Sequence, residues 1–392
     1  MAIAPILKKA YWSLAIAGGI YIVFLLFLLN GWVQRQALYA HNVPTVWWHD
    51  PNKPEQFGFL KNQVHPFYID TPDGENLFAW HILPLSSYIA NENALIKEGT
   101  SSWEDFATST AFKLLADDPE SRLVINFHGN AGTIAQGWRT DTYRMLTSGP
   151  VEKLHVVAVD YRGFGYSTGS PDEKGLIVDG VAAVRWALDV AHIPAERIIL
   201  LGQSLGTAVA TAVAEHFVVN EEIEFKGVVL VAGFSDLPTL MTTYAIGGII
   251  PILSPLRSYP FLQQIFARNI QETWFTARRL ANLVRKSKNV ALRIIHSQND
   301  FEIVWTHSNT LFTVAANATI DKGLTEKDID TLKDHHDRGE YGWTNSWMTV
   351  KEDGGRISIK QDIVRHGGHN RITTYPMIVR AIASVFSLGE PS

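Results

Sequence analysis

Between Arg122 and Ile295 the sequence keeps returning to short, almost wholly apolar runs. They are Leu123-Val124-Ile125-Asn126-Phe127, Val156-Val157-Ala158-Val159, Ile198-Ile199-Leu200-Leu201, Val228-Val229-Leu230-Val231 and Val290-Ala291-Leu292-Arg293-Ile294-Ile295. A strand with one face in water alternates apolar and polar residues, whereas a strand apolar on both sides needs cover on both faces. Amphipathic helical stretches lie between the runs, so the pattern predicts a doubly wound, mostly parallel sheet flanked by helices. The clearest helix start is Ser170-Pro171-Asp172-Glu173, with Ser170 as cap, Pro171 at the first helical position and Glu173 completing a capping box. Upstream, Val64 to Ile69 and Leu77 to Ile82 read as an opening antiparallel pair. Two segments break the alternation. Ser86 to Glu120 is polar and helical in part, a surface insertion. Leu237 to Asn289 is too long for a simple crossover helix and reads as a cap over the C-terminal edge of the sheet, where α/β proteins bind ligands.

Composition narrows the function classes. Residues are 46% hydrophobic and 19% charged, enough apolar material for a large core, and the net charge is −5 with no long basic run. A nucleic-acid partner, whose phosphates demand clustered Lys and Arg, is not expected. Without cysteine there is no disulfide framework, zinc-thiolate site or cysteine nucleophile, and no metal or cofactor is expected.

The N-terminus carries a second constraint. From Ala10 to Gln34 there is no charged residue, and Ile20 to Leu29 is continuously apolar or aromatic. About 20 apolar residues in helix span a bilayer core. Trp12 and Trp32 fall near the two ends, where amphipathic rings favour the interface. A cleaved signal peptide has a shorter apolar core and small residues after it; here Asn30-Gly31-Trp32-Val33 follows. The expected organisation is an uncleaved anchor over residues 1–35 and one large domain over 36–392. Lys8 and Lys9 precede the span and only Arg35 follows closely, which predicts a cytoplasmic N-terminus and a translocated domain, lumenal in the endoplasmic reticulum. The sequon Asn317-Ala318-Thr319 would then be open to glycosylation.

The chemistry centres on Gly202-Gln203-Ser204-Leu205-Gly206, directly after the run ending at Leu201 and before the helical stretch Thr207 to His216. A serine on a tight strand-to-helix turn is exposed in strained geometry, the flanking glycines let strand and helix pack closely, and the helix N-terminus favours developing negative charge. A serine hydroxyl needs a base, and the base needs an orienting acid, which follow the nucleophile as acid then histidine in this arrangement. Asp300, just past the last apolar strand, is the candidate acid, with Glu302 and Asp236 as fallbacks; Asp236 could instead cap the first helix of the cap segment. His369, beside Gly367-Gly368, is the candidate base and His366 its rival, while His335-His336 sits in a charged stretch expected to be exposed. For the oxyanion, the N–H of Leu205 is one donor and the N–H of Asn130 or Ala131, in His128-Gly129-Asn130-Ala131-Gly132, is the other.

His128 to Gly132, then Asp160-Tyr161-Arg162-Gly163-Phe164-Gly165-Tyr166-Ser167-x-Gly169, then Gly202 to Gly206 form one series. It resembles the lysophosphatidylserine and monoacylglycerol lipase group of membrane-anchored α/β-hydrolase-domain proteins. The likeness covers Val64 to Gly233 and resumes at Asp300 and His369. It implies an α/β-hydrolase fold, the same oxyanion loop, nucleophile, acid and base, and a lipid substrate at a bilayer. The cap matches nothing in that group, and Phe301 stands where a proline often follows the acid.

The expected activity is cleavage of a lipid acyl ester, a lysophospholipid or monoacylglycerol, through an acyl-enzyme. The same machinery would serve a thioesterase or peptidase, since a Ser-His-Asp set fixes acyl transfer and leaves the leaving group open. A catalytically dead membrane scaffold is the non-enzymatic alternative, and its mark would be a missing triad member. In the segment Leu237 to Asn289, Arg257, Arg268, Arg278, Arg279, Arg285, Lys286 and Lys288 face one acid, Glu272. That balance suits either an anionic surface or a solvated helix face.

Overall fold

In the computed structural model, residues 5–43, 46, 48–98, 103–246, 250–256, 258–320 and 323–387 are described. Each of the apolar runs forms a strand. We label β1 Val64–Asp70, β2 Asn76–Ile82, β3 Arg122–Phe127, β4 Leu154–Val159, β5 Ile198–Gln203, β6 Gly227–Val231, β7 Val290–Ser297, β8 Asp334–Asp337, β9 Gly342–Val350 and β10 Arg356–Val364. They join one 10-stranded sheet in the order β1-β2-β4-β3-β5-β6-β7-β10-β9-β8. The block from β4 to β10 is parallel, and antiparallel strands extend it at both edges. In β4, β6 and β7 every residue is buried, the burial that period-free apolar sequence requires. One apolar cluster, including Leu123, Val209 and Leu292, covers one face; another, including Val124, Leu201 and Ile378, covers the other.

The parallel register decides where chemistry can happen. Phe127 pairs with Gly202, Gln203 with Val231, Val231 with Ile295, and Ser297 with Val364. The segments leaving these five C-terminal strand ends therefore lie along one edge of the sheet, and four of them carry His128 to Gly132, Ser204, Asp300 and His369.

Several local expectations change. The helix expected from Ser170 starts at Glu173, and Asp172 is its cap, accepting from the Gly175 N–H at 2.7 Å. Glu173 is drawn away from the capping box because its Oε2 accepts from the N–H groups of Thr273 (2.8 Å) and Trp274 (2.9 Å). The insertion Ser86 to Glu120 is not confined to the surface: Leu95, Phe106, Phe112 and Leu115 enter the core.

The segment Leu237 to Asn289 divides in two. Its first part, with helices Leu237–Thr243 and Pro260–Arg268, lies over the strand ends. Its last helix, Thr276–Lys286, packs on Leu205–Glu221 and Thr306–Asn317 and belongs to the layer flanking the sheet. That helix buries Leu280, Ala281, Leu283 and Val284, and turns Arg278, Arg285 and Lys286 to solvent. The basic cluster is thus mostly the solvated face of an amphipathic helix and not a property of the cap. Arg279 pairs with Glu173 and Glu215. Arg257 and the stretch Gly247-Gly248-Ile249 lie outside the described residues.

The N-terminal apolar run is also two elements. Pro5–Phe27 is one helix, long and apolar enough to cross a membrane, and Leu25 is its one buried residue among those described. Asn30 then stops and restarts the chain: its Oδ1 accepts from Trp32 N (3.0 Å) and Val33 N (3.2 Å), capping a second helix, Gly31–Tyr39. An organisation that divides at residue 35 would cut this second helix, which packs on the domain through the buried Tyr39.

Candidate active site

Ser204 stands between β5 and the helix Leu205–Glu221 with φ 53° and ψ −119°, a conformation that costs on the order of 1–3 kcal/mol for a residue with a side chain. The surroundings hold it there. Its N–H donates to Val231 O (2.9 Å), and its carbonyl accepts from the Thr207 hydroxyl (2.6 Å) and N–H (3.0 Å). The elbow glycines are required by space: a Cβ on Gly202 would lie 2.2 Å from Gly206 O, and one on Gly206 would lie 2.0 Å from Phe127 O. Gly206 therefore presses the elbow helix onto the strand that launches the His128 loop.

His369 meets the serine. Its Nε2 lies 2.9 Å from Ser204 Oγ, and its Nδ1 lies 2.7 Å from Asp300 Oδ2. A carboxylate only accepts, so Nδ1 carries the proton and Nε2 is left to accept from the serine hydroxyl. Burial alone would depress the imidazole, but the hydrogen bond and charge of Asp300, with the charge of Glu302, outweigh it and raise its pKa. Burial pushes the Asp300 carboxyl up, yet His296 and His369 together pull it well below the usual carboxylate range. The pocket thus keeps Asp300 ionised and stabilises a positive charge on the His369 ring, the charge that develops when the ring takes the serine proton.

The loops carrying acid and base are fastened to each other. Gly368 has φ 59°, a left-handed position that suits glycine, and its N–H donates to Ser297 Oγ (3.1 Å) and Asn299 Oδ1 (2.9 Å). Asp300 Oδ1 accepts from the N–H groups of Glu302 and Ile303, both at 2.9 Å. Sequence reasoning missed His296, whose Nε2 sits 3.2 Å from Asp300 Oδ2 and 2.9 Å from Ile303 O. Since a carbonyl can only accept, that nitrogen carries the proton, and the ring clasps the acid loop. Its place four residues before Asp300 on a fully buried strand was the available signal.

The His128 loop lies against the nucleophile: a Cβ on Gly129 would come within 3.3 Å of Ser204 Cβ. Here too a residue was missed. One guanidinium nitrogen of Arg139 donates to the carbonyls of Gly129 (2.9 Å), Asn130 (3.1 Å) and Ala131 (2.8 Å), and the other to Thr133 O (2.6 Å). In a trans peptide the N–H points opposite to the carbonyl, so the N–H groups of Asn130 and Ala131 are turned away from Arg139. Among the described residues neither N–H has a protein acceptor. Leu205 opens the elbow helix, its N–H at the helix start. His128 itself is buried against Tyr161, whose hydroxyl donates to His128 O at 2.9 Å.

Of the other sequence candidates, Asp236 caps Leu237–Thr243 by accepting from Thr239 N (2.7 Å), and Glu302 lines the cavity without touching His369. His366, His335 and His336 are exposed.

The serine opens into a cavity of about 390 Å³, within the range of small-molecule sites. Its lining combines the apolar Phe234, Leu237, Leu240, Met241, Tyr244, Ile252, Leu253 and Phe266 with the polar Asn130, Gln136, Arg139 and Gln203. Residues 122–274 match the family described as alpha/beta hydrolase fold. The chain has the α/β-hydrolase fold. The chain is similar to the lysophosphatidylserine lipase ABHD12 of Danio rerio, 25% identical over 73% of this chain and 67% of that one. It is similar to protein ABHD12B of Homo sapiens, 29% identical over 64% of this chain and 62% of that one. Among solved structures, an α/β-hydrolase from Vibrio vulnificus superposes with a TM-score of 0.54 over 90% of this chain and 92% of that one, at 14% identity.

Proposed function

We propose that this α/β-hydrolase is a membrane-anchored lipase that cleaves the acyl ester of a single-chain lipid, a lysophospholipid or a monoacylglycerol. The observation that carries the reading is the unbroken hydrogen-bonded line from Ser204 through His369 to Asp300, opening into an apolar cavity. Ser204 Oγ attacks the ester carbonyl while His369 Nε2 takes its proton, and the ionised Asp300 stabilises the imidazolium. The oxyanion lies on the N–H of Leu205 and that of Asn130 or Ala131. His369 then protonates the departing alcohol, and a water it deprotonates hydrolyses the acyl-enzyme to the free fatty acid. The relatives named as lysophosphatidylserine lipases favour lipid over other acyl donors.

The purified full-length protein in mixed micelles is expected to turn over lysophosphatidylserine and monoacylglycerol faster than acyl-CoA or peptide substrates at equal concentration. Fatty-acid release measured across that panel tests the reading, and a preference for acyl-CoA would replace it with a thioesterase.

The membrane part of the proposal rests on Pro5–Phe27, which leaves large apolar side chains such as Ile6, Leu14, Ile20 and Leu26 uncovered. A bilayer covers such a surface. Arg35 is paired with Glu272 at 3.5 Å, so Lys8 and Lys9 carry most of the free positive charge beside the span and favour a cytoplasmic N-terminus. In sealed microsomes the hydrolase domain should resist added protease until detergent is present, and digestion without detergent would reverse the topology.

A further inference from the structure

The helix Gly31–Tyr39 follows the apolar helix directly, where a spacer would suffice to tether a domain to a membrane. It is not built as a spacer. Gln34, Ala37 and Leu38 line the same cavity as Ser204 and His369, joined by Leu28 from the end of the apolar segment. The helix is fixed on several sides. The buried Tyr39 donates to Glu272 Oε2 at 2.9 Å and lies 3.3 Å from Trp274 Nε1. Gln34 donates to Leu28 O (2.7 Å) and Asn269 O (2.9 Å) and accepts from Gln271 N (3.0 Å). A Cβ on Gly31 would collide with the Gln271 side chain, so the backbone itself is in contact. Leu38 O accepts from Asn130 Nδ2, which ties the helix to the loop beside the nucleophile.

The apolar end of the cavity continues toward the apolar helix. The Tyr21 hydroxyl donates to Ile252 O at 2.6 Å, and the buried Leu25 packs with Ile252 and Leu253, which also line the cavity. Tyr21 lies six residues before Phe27, about 9 Å along a helix axis. If Pro5–Phe27 spans a bilayer, this contact sits inside the leaflet, and the cavity meets hydrocarbon there and not water.

We infer that Gly31–Tyr39 is a specificity-determining wall of the acyl pocket. The acyl chain of a single-chain lipid enters from the leaflet beside Leu28 and lies along Ala37 and Leu38, with its ester at Ser204. The inference rests on the lipase reading and adds to it which residues read chain length. A chain short enough to stay near the serine does not touch this wall; a long one does.

The test uses the full-length protein in detergent with a series of p-nitrophenyl esters from acetate to palmitate. Ala37→Trp is expected to lower kcat/KM for the long-chain esters roughly tenfold or more, the scale on which a hydrophobic pocket discriminates by size, while leaving the short esters within about twofold. The loss should appear mainly in KM for the long chains. Ala37→Leu should give a smaller effect in the same direction and serves if the tryptophan variant does not fold. Gln36→Trp, whose native side chain bonds Asn42 and does not line the cavity, should leave the profile unchanged. An unaltered chain-length profile in folded Ala37 variants, or an equal loss at every length, overturns the inference. Labelling by a fluorophosphonate probe separates the two levels: wild type that neither labels nor hydrolyses any ester defeats the triad reading, whereas labelled variants with wild-type selectivity defeat only the wall.

Discussion

Ser204→Ala is expected to abolish both ester hydrolysis and covalent labelling by a fluorophosphonate probe. Removing the nucleophile of a triad costs about a millionfold in kcat, because the base and acid have nothing left to activate. The variant should remain folded. Ser204 is already held at φ 53° by hydrogen bonds of its backbone and by the packing of Gly202 and Gly206, and none of these involves its hydroxyl. Circular dichroism and thermal unfolding, run beside the labelling gel, distinguish a lost nucleophile from a lost fold. Persistent labelling of Ser204→Ala would move the nucleophile elsewhere, and an unlabelled, well-folded wild type would favour the scaffold alternative.

The second large effect concerns Asp300→Asn. The asparagine keeps the size of the side chain but presents an N–H where the carboxylate accepted one. His369 Nδ1 would then accept, the proton would move to Nε2, and Nε2 could no longer receive the proton of Ser204. A loss of about 10⁴ in kcat is expected from that wrong tautomer. The pH profile carries a second signature. Hydrolysis needs neutral His369, so activity rises with pH through the imidazole pKa. In the wild type Asp300 raises that pKa, which places the acid limb above the ordinary histidine value of about 6.5. Without the carboxylate the raising influence is lost while burial still depresses the imidazole, so the residual activity should show its acid limb at lower pH. Initial rates of a short-chain ester from pH 4 to 9 measure both. An acid limb that stays put in Asp300→Asn would mean that another group sets it.

Much of this protein is written locally in its sequence. A strand buried on both faces has to be apolar throughout, and a parallel ladder needs a helical return, so the runs from Leu123 to Ile295 mark five strands of the parallel block through short-range pattern. The elbow is local in part: Gly202 answers a collision with Gly206 inside the turn, whereas Gly206 answers one with Phe127 on a strand far away in sequence. The order of Ser204, Asp300 and His369 was also legible, as each follows the end of a strand that lies in the parallel block. Local pattern misled at the start of the helix after Ser170, where Glu173 is taken by Thr273 and Trp274 from a distant loop.

What only the tertiary structure decided were the relations between segments far apart in sequence. Arg139 looks like any helix arginine until the carbonyls of residues 129 to 131 converge on it. His296 looks like a strand residue until the chain turns Asp300 back beside it. The same holds for the N-terminus. Hydropathy marks an apolar span, but no periodicity could indicate that the next helix docks through Tyr39 onto Glu272 and lines the cavity of Ser204. Hydrophobic pattern records which residues avoid water, and chain folding chooses which of them meet. Ser204 and its neighbouring turn were therefore fixed by sequence, while the wall against which its substrate lies was fixed by assembly.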